Sequence, residues 1–272
     1  MGAIVCKIGG SVIDGVDPSI IEDIKVIRAS GRGLILVHGG GDQVTEVAEK
    51  LGKQQKFVTS PEGIKSRYTD RETSEIFTMV MSGLLAKQIS QTLEKNGVDC
   101  ISLTGLDGAL LRADRKKKLI IIDERGRKVA IDGGYTGKIN QVNTRLLELL
   151  IASGLVPIVS PIAVGEEWEL LNVDGDRACS HIAGAMKADA AVFLTDTDGL
   201  ILDGGVVARL DSGKAREALP RIGSGMDKKV LAAAEAVEMG TKRSIISSGK
   251  KEHPLQNALD GNGTVIVPIG GL

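Results

Sequence analysis

Ala3-Ile4-Val5-Cys6-Lys7-Ile8 runs into Gly9-Gly10-Ser11, and Leu34-Ile35-Leu36-Val37 runs through His38 into Gly39-Gly40-Gly41. Each apolar run is short, rich in β-branched residues and stopped by glycines, which marks a buried strand ending in a tight turn. Helical spacing follows each turn: Ile20, Ile21, Ile24 and Ile27 after the first, then Val44, Val47, Ala48 and Leu51 after the second. Strand, glycine turn and helix, repeated in tandem, predict a parallel α/β sheet. In such sheets ligands gather beyond the carboxyl ends of the strands, where these glycines stand.

The rhythm resumes further on. Asp99–Leu103, Val156–Ser160, Ala190–Leu194, Ser244–Ile246 and Thr264–Val267 read as strands, and Asn143–Ala152 and the stretch after Gly225 read as helices. Residues 109–139 read as hairpin ribbon with charged tips, at Arg112, Arg115, Lys116, Lys117 and Lys118 and again at Glu124-Arg125-Gly126-Arg127. A smaller hairpin is expected at Ile162–Val164 and Trp168–Leu171. Thr73–Glu94 reads as one long helix with no charge between Glu75 and Lys87. A helix apolar on nearly every side is buried on more than one, which fits either a central core helix or one whose second face joins a second copy of the chain. An amino-terminal lobe over 1–170 and a carboxyl-terminal lobe over 171–272 are expected to share one continuous sheet.

Composition narrows the function. The 272 residues carry 34 Lys and Arg against 35 Asp and Glu, a net charge of −1 that argues against a general nucleic-acid binder. Aromatic residues make up 2%, too few for base-stacking platforms. The three cysteines form no Cys-x-x-Cys pair, and the three histidines are far apart, so neither a disulfide framework nor structural zinc is expected. The longest uncharged run, Leu149 to Gly165, is broken by Pro157 and Pro161 and reads as a helix end plus a strand. With no membrane span and no signal-peptide pattern, a cytoplasmic protein is expected.

Glycine turns at helix starts expose backbone N–H groups to anions, and a missing Cβ permits close approach. Neither turn matches the P-loop or the dinucleotide fingerprint. Lys7 ends its strand beside Gly9-Gly10, where a buried ammonium needs an anion. Lys228-Lys229 follow Gly223-Ser224-Gly225 in the first turn of a helix, where cations are disfavoured unless an anion sits nearby. Asp176, in the run Asn172-Val173-Asp174-Gly175-Asp176, fits either a helix-start carboxylate or a brace between two lysines.

Lys7-Ile8-Gly9-Gly10-Ser11, His38-Gly39-Gly40-Gly41, Ser66-Arg67-Tyr68-Thr69-Asp70, Leu171-Asn172-Val173-Asp174-Gly175-Asp176 and Gly225-Met226-Asp227-Lys228-Lys229-Val230 occur in this order. Together they resemble the amino acid kinase family and, within it, the acetylglutamate kinase branch, over essentially the whole chain. Phe57-Val58-Thr59-Ser60-Pro61, Arg115-Lys116-Lys117 and Gly134-Tyr135-Thr136-Gly137-Lys138-Ile139 are more similar to the kinases that act on aminoadipate or glutamate held by the small acidic carrier protein LysW. Ala86 and Ser224 depart from the family's usual residues.

The resemblance implies an open, mostly parallel eight-stranded sheet between helices, and phosphoryl transfer from ATP with Mg²⁺ to a side-chain carboxylate. It implies Lys7 and Lys229 as the catalytic cations and Asp176 as the group orienting them. Gly9 and Gly10 would meet nucleotide phosphates, with Thr195 and Asp196 near the nucleotide. Gly40 and Gly41 would cradle the acyl substrate, Arg67 would pair with its α-carboxylate, and Asn172 would hold its amide. A dedicated protein metal site is not implied. The partners expected are the acidic carrier and a second copy of the chain. Alternatives are an N-acetyl-L-glutamate kinase acting on free substrate, and a non-catalytic nucleotide sensor on the same fold.

Overall fold

The computed structural model describes residues 2–9, 18–61, 63–223 and 225–271. Strand β1 (Ala3–Ile8), helix α1 (Pro18–Ala29), β2 (Gly33–His38) and α2 (Gly41–Lys50) open the chain as the glycine punctuation predicts. A small hairpin, β3 (Phe57–Thr59) and β4 (Lys65–Arg67), leads to a long helical rod. The rod is α3 (Arg71–Thr78), a π-helical segment (Met79–Leu85) and α4 (Ala86–Lys95). The expected helix is therefore present, but its uncharged centre is wound as π-helix. Asp70 caps its start, accepting from the Thr73 N–H at 2.8 Å.

Next come β5 (Cys100–Leu103), β6 (Leu111–Arg115), β7 (Lys118–Ile122), β8 (Lys128–Asp132), β9 (Gly137–Val142), α5 (Thr144–Ala152), β10 (Val156–Val159), β11 (Ile162–Val164) and β12 (Leu170–Asn172). The remainder is α6 (Gly175–Ala185), β13 (Ala190–Thr195), β14 (Ile201–Leu202), β15 (Gly205–Val206), β16 (Arg209–Asp211), α7 (Ser212–Ala218), α8 (Met226–Glu238), β17 (Ser244–Ser248), α9 (Pro254–Leu259) and β18 (Thr264–Val267).

One eight-stranded sheet, in the order β16-β18-β17-β13-β1-β2-β10-β5, runs through the molecule. Its pairings are parallel except β17 with β18. The interior strands are apolar on both faces, as a sheet covered by helices on both sides requires. Side chains alternate between two core layers. Val5, Ile35, Val37 and Phe193 share the face that also buries Ala178, Ile182 and Ala233. Ile4, Cys6, Leu34 and Leu36 share the other face with Ile24, Ile89 and Leu255. Lys7 continues the face of Val5, toward α6 and α8.

The ribbon corrects one expectation. Of the two expected tips, only the one at Glu124-Arg125-Gly126-Arg127 is a tip: it is the turn Asp123–Arg127 between β7 and β8, with Asp123 accepting from the Arg125 and Arg127 N–H groups. Lys116–Lys118 lie instead at its foot, where the chain passes from β6 to β7. The Lys116 N–H donates to the Thr136 carbonyl at 2.9 Å, and the Lys117 carbonyl accepts from the Gly133 N–H at 3.2 Å. These backbone bonds hold the basic run against the body of the protein.

Candidate active site

Asp176 stands between two lysines. Lys7 Nζ lies 3.0 Å from its Oδ1 and Lys229 Nζ lies 3.4 Å from its Oδ2. The three side chains come from the carboxyl end of β1, the first turn of α6 and the first turn of α8. Asp174 starts α6 by accepting from the Asp176 and Arg177 N–H groups at 3.0 and 3.1 Å, which sets the Asp176 backbone. Small residues let α6 and α8 approach closely. Ser180 Oγ meets the Ala232 carbonyl at 2.6 Å, and a Cβ on Gly184 would stand 2.4 Å from Met239 Cβ.

Burial and charge oppose each other in this cluster, and charge prevails. Burial alone would push the Asp176 carboxyl up, but Lys7 and Lys229 hold it below the ordinary carboxylate value. Burial would lower the Lys7 ammonium, but Asp176 holds it above the ordinary lysine value. Asp176 is thus held as the carboxylate and Lys7 as the ammonium, with the basic side chain of Lys229 on the carboxylate's second oxygen. That arrangement receives a further anion.

Beside the cluster opens a cavity of about 780 Å³. The β3–β4 hairpin, β7, β9, α6 and α8 all line it, and Gly41, Arg67 and Asn172 contribute to its wall. Lys65, Arg67, Lys116, Lys138, Arg177 and Lys228 face it against Asp174 and Glu235, so it is cationic overall. Arg177 is held by Glu235, both of whose oxygens accept from Nη1 at 2.9 Å. Desolvation at the rim, with Arg177 and Lys138 nearby, pulls the Lys116 ammonium below its ordinary value. Burial and the same two cations pull His181 down as well.

Arg67 is anchored by Gly41, Thr45 and Gln55: Nη2 donates to the Gly41 carbonyl at 2.7 Å and to Thr45 Oγ1 at 2.9 Å, and Nη1 donates to Gln55 Oε1. Asn172 donates from Nδ2 to the buried Thr69 hydroxyl at 3.0 Å, while its N–H donates to the Tyr135 carbonyl at 2.9 Å.

The expected residues therefore fall into groups. Lys7, Asp176 and Lys229 converge, and Gly41, Arg67 and Asn172 share the cavity. Gly40 caps α2 immediately before Gly41. Gly9 follows β1, while Gly10 lies outside the described residues. Thr195 and Asp196 sit at the end of β13, with Thr195 Oγ1 3.1 Å from Asp196 Oδ1, and do not line this cavity. Sequence reading missed Arg177 and His181; their spacing of four on α6, one turn beyond Asp174, was the available signal. Glu235 and Thr69 gave none, because their partners are distant in sequence.

Residues 2–248 match the amino acid kinase family. The chain belongs to the amino acid kinase family. This amino acid kinase is 50% identical to the LysW-aminoadipate/LysW-glutamate kinase of Sulfurisphaera tokodaii, over 97% of this chain and 100% of that one. It is 47% identical to the kinase of the same name from Saccharolobus solfataricus, over 97% and 98%. Its fold matches that of a Streptococcus mutans protein of known crystal structure, with a TM-score of 0.80 at 24% identity over 97% of this chain and 98% of that one. An isopentenyl phosphate kinase matches with a TM-score of 0.62 at 20% identity, over 97% and 100%. Among the described residues, no helix is long and apolar enough to cross a membrane.

Proposed function

We propose that this amino acid kinase transfers the γ-phosphoryl group of ATP to the side-chain carboxylate of 2-aminoadipate or glutamate carried by its amino group on the acidic protein LysW. The product is an acyl phosphate for lysine or arginine biosynthesis. The observation that carries this reading is Asp176 bracing Lys7 and Lys229 beside a large cationic cavity. The names of the relatives above support the same substrate.

The acyl substrate lies over the lobe formed by residues 1–170, cradled by Gly40 and Gly41 with its α-carboxylate on Arg67, and Asn172 at the start of the second lobe holds its amide. The nucleotide lies over residues 171–272, with its phosphates toward Gly9 and Gly10 and its remainder toward Thr195 and Asp196. An acceptor oxygen attacks the γ-phosphorus as the bond to the bridging oxygen of ADP breaks. Charge spreads over the phosphoryl oxygens during transfer, and Lys7 and Lys229 neutralise it from fixed positions. Asp176 holds both ammonium groups in place, so little reorganisation is needed at the moment of reaction.

Both Asp176 oxygens face lysines, so this carboxylate does not fit a metal ligand, and Mg²⁺ enters as the counter-ion of ATP. The cationic cavity favours an acceptor borne on an acidic protein over a small free acid, because opposite charge steers encounter and sets orientation. The enzyme works in the cytoplasm as a homodimer joined along the π-helical segment. Its outer face leaves Met79 57% and Leu84 43% exposed in the single chain.

Purified protein is tested with ATP and three acceptors: LysW bearing aminoadipate, LysW bearing glutamate, and free N-acetylglutamate. Acyl phosphate is trapped as the hydroxamate. Turnover of a carrier-linked acceptor supports the reading. Turnover of only the free acid assigns an acetylglutamate kinase, and ATP binding without transfer assigns a sensor.

A further inference from the structure

We infer that His38 is a positioning residue that fixes the Gly39–Gly40 peptide plane, and with it the direction in which the Gly40 N–H points. The inference rests on the reading above, in which the turn at Gly40 and Gly41 cradles the acyl substrate. His38 ends β2 with no exposed surface and does not line the cavity, so it acts on substrate only through the turn.

The chemistry of its partners assigns its protons. Nδ1 lies 2.9 Å from the Gly39 carbonyl oxygen, which can only accept, so Nδ1 carries a proton. Burial drives the imidazole down to about 4, so the ring holds a single proton at neutral pH. Nε2 is then an acceptor, and the Ser160 hydroxyl donates to it at 2.8 Å. Ser160 is itself tied into the sheet: its N–H donates to the Leu103 carbonyl at 2.8 Å, and its carbonyl accepts from the Ile162 N–H at 2.8 Å.

The trans peptide converts this grip into a direction. The Gly39 carbonyl and the Gly40 N–H belong to one rigid plane and point opposite ways. Holding the carbonyl on His38 turns the N–H away from it. The next plane is held in the same manner, because the Gly40 carbonyl accepts from the Val44 N–H at 3.0 Å and so directs the Gly41 N–H. A seat beneath the turn completes the constraint. A Cβ on Gly40, whose φ is +149°, would stand 2.1 Å from Leu85 Cδ1 and 3.0 Å from Met81 Sδ, both in the π-helical segment. A π-helical winding inside a longer helix is frequently placed at a functional site, and here it carries the turn.

The test compares His38→Leu, which removes the donor, with His38→Asn, whose amide can reproduce the Nδ1 donor. Expected for His38→Leu is an acyl-substrate KM raised about tenfold, the loss of one hydrogen bond, with the ATP KM within about twofold of wild type. His38→Asn should recover most of that loss. Equal acyl-substrate KM values in wild type and folded His38→Leu would overturn the proposal, as would equal increases in both KM values.

Should His38→Leu fail to fold, nitrogen-15 NMR of the wild-type imidazole decides. The Nδ1–H tautomer and a slowly exchanging Gly40 amide that speeds up in Ser160→Ala support the inference; the Nε2–H tautomer overturns it. These measurements need no turnover, so they stand apart from any failure of the carrier-linked assay.

Discussion

Lys228 Nζ lies 2.5 Å from the carbonyl oxygen of Lys65, a residue 163 positions earlier in the chain. This hydrogen bond joins the first turn of α8 to the β3–β4 hairpin across the mouth of the cavity. Its neighbour Lys229 turns the other way, to Asp176. Adjacent lysines at one helix start thus serve two walls of the site. Lys228→Met keeps the length of the side chain and removes the donor. It should raise the KM for the acyl acceptor several-fold and leave kcat within about threefold, because the bond shapes the cavity without touching the transferring group. A large fall in kcat at unchanged KM would place Lys228 in the chemistry instead.

Lys7→Ala and Lys229→Ala should behave differently. In the proposed mechanism each removes a fixed charge from the transferring phosphoryl group, and one such contact is worth roughly 10²–10³ in kcat. The ATP KM should change much less. Steady-state kinetics with saturating acceptor measures both. The lysines act through one carboxylate, so the double variant should lose less than the product of the single losses.

Most of this frame was legible in the sequence, because glycine stops and apolar runs are local signals. β1, β2, α1 and α2 begin and end where residue spacing places them, and Lys7 and Asp176 emerge at the expected ends. What escaped depends on contacts between distant segments. The π-helical winding of Met79–Leu85 has no local marker, and the partners it packs against, Val44, Ala48 and Ile162, are distant in sequence. The foot of the ribbon reads as a tip because a run of lysines resembles a solvated turn, whereas Thr136 and Gly133 tie it down. The pairing of Arg177 with Glu235 spans 58 residues and leaves no periodic trace.

The position of that basic foot separates the three lysines. Lys116 lines the cavity, whereas Lys117 and Lys118 do not. Replacing Lys117 and Lys118 with Ser should raise the KM for a carrier-linked acceptor and flatten its salt dependence without changing kcat, since exposed charges act by steering and are screened within about 8 Å. Adding Lys116→Ser should raise KM further, and this increment should persist at high salt because the residue stands at the cavity wall. Stopped-flow association at two ionic strengths reads the first effect and steady-state KM the second.

The exposed π-helical face gives an association prediction. Leu84→Glu places a charge on the surface proposed to pair with a second copy. It should convert the dimer to monomer in light scattering at micromolar concentration, because an unpaired buried charge costs several kcal/mol. Leu84 belongs to the segment that seats Gly40, so the acyl-substrate KM should rise in the monomer while ATP binding is retained. A wild-type protein that is already monomeric would remove the dimer from the account.

Stability should respond to pH through His38. Its folded value, lowered by burial to about 4 from an ordinary 6.5, lies below that of the unfolded chain. Between those values the unfolded state binds the extra proton, so stability rises with pH across the window and falls as acid is added. The full gap is worth roughly 3 kcal/mol at the acid end. His181 is lowered too and acts in the same direction. His253 opposes them: its hydrogen bond to the Asp23 carboxylate raises it, so its contribution is greatest in acid and fades as pH rises through its folded value. Urea midpoints measured between pH 7.5 and pH 4.5 should therefore decline in the wild type. In His38→Asn the decline should be shallower by about the His38 share, since the amide does not titrate. A variant with the wild-type slope would show that His38 takes up its second proton at the same pH in the folded and the unfolded chain.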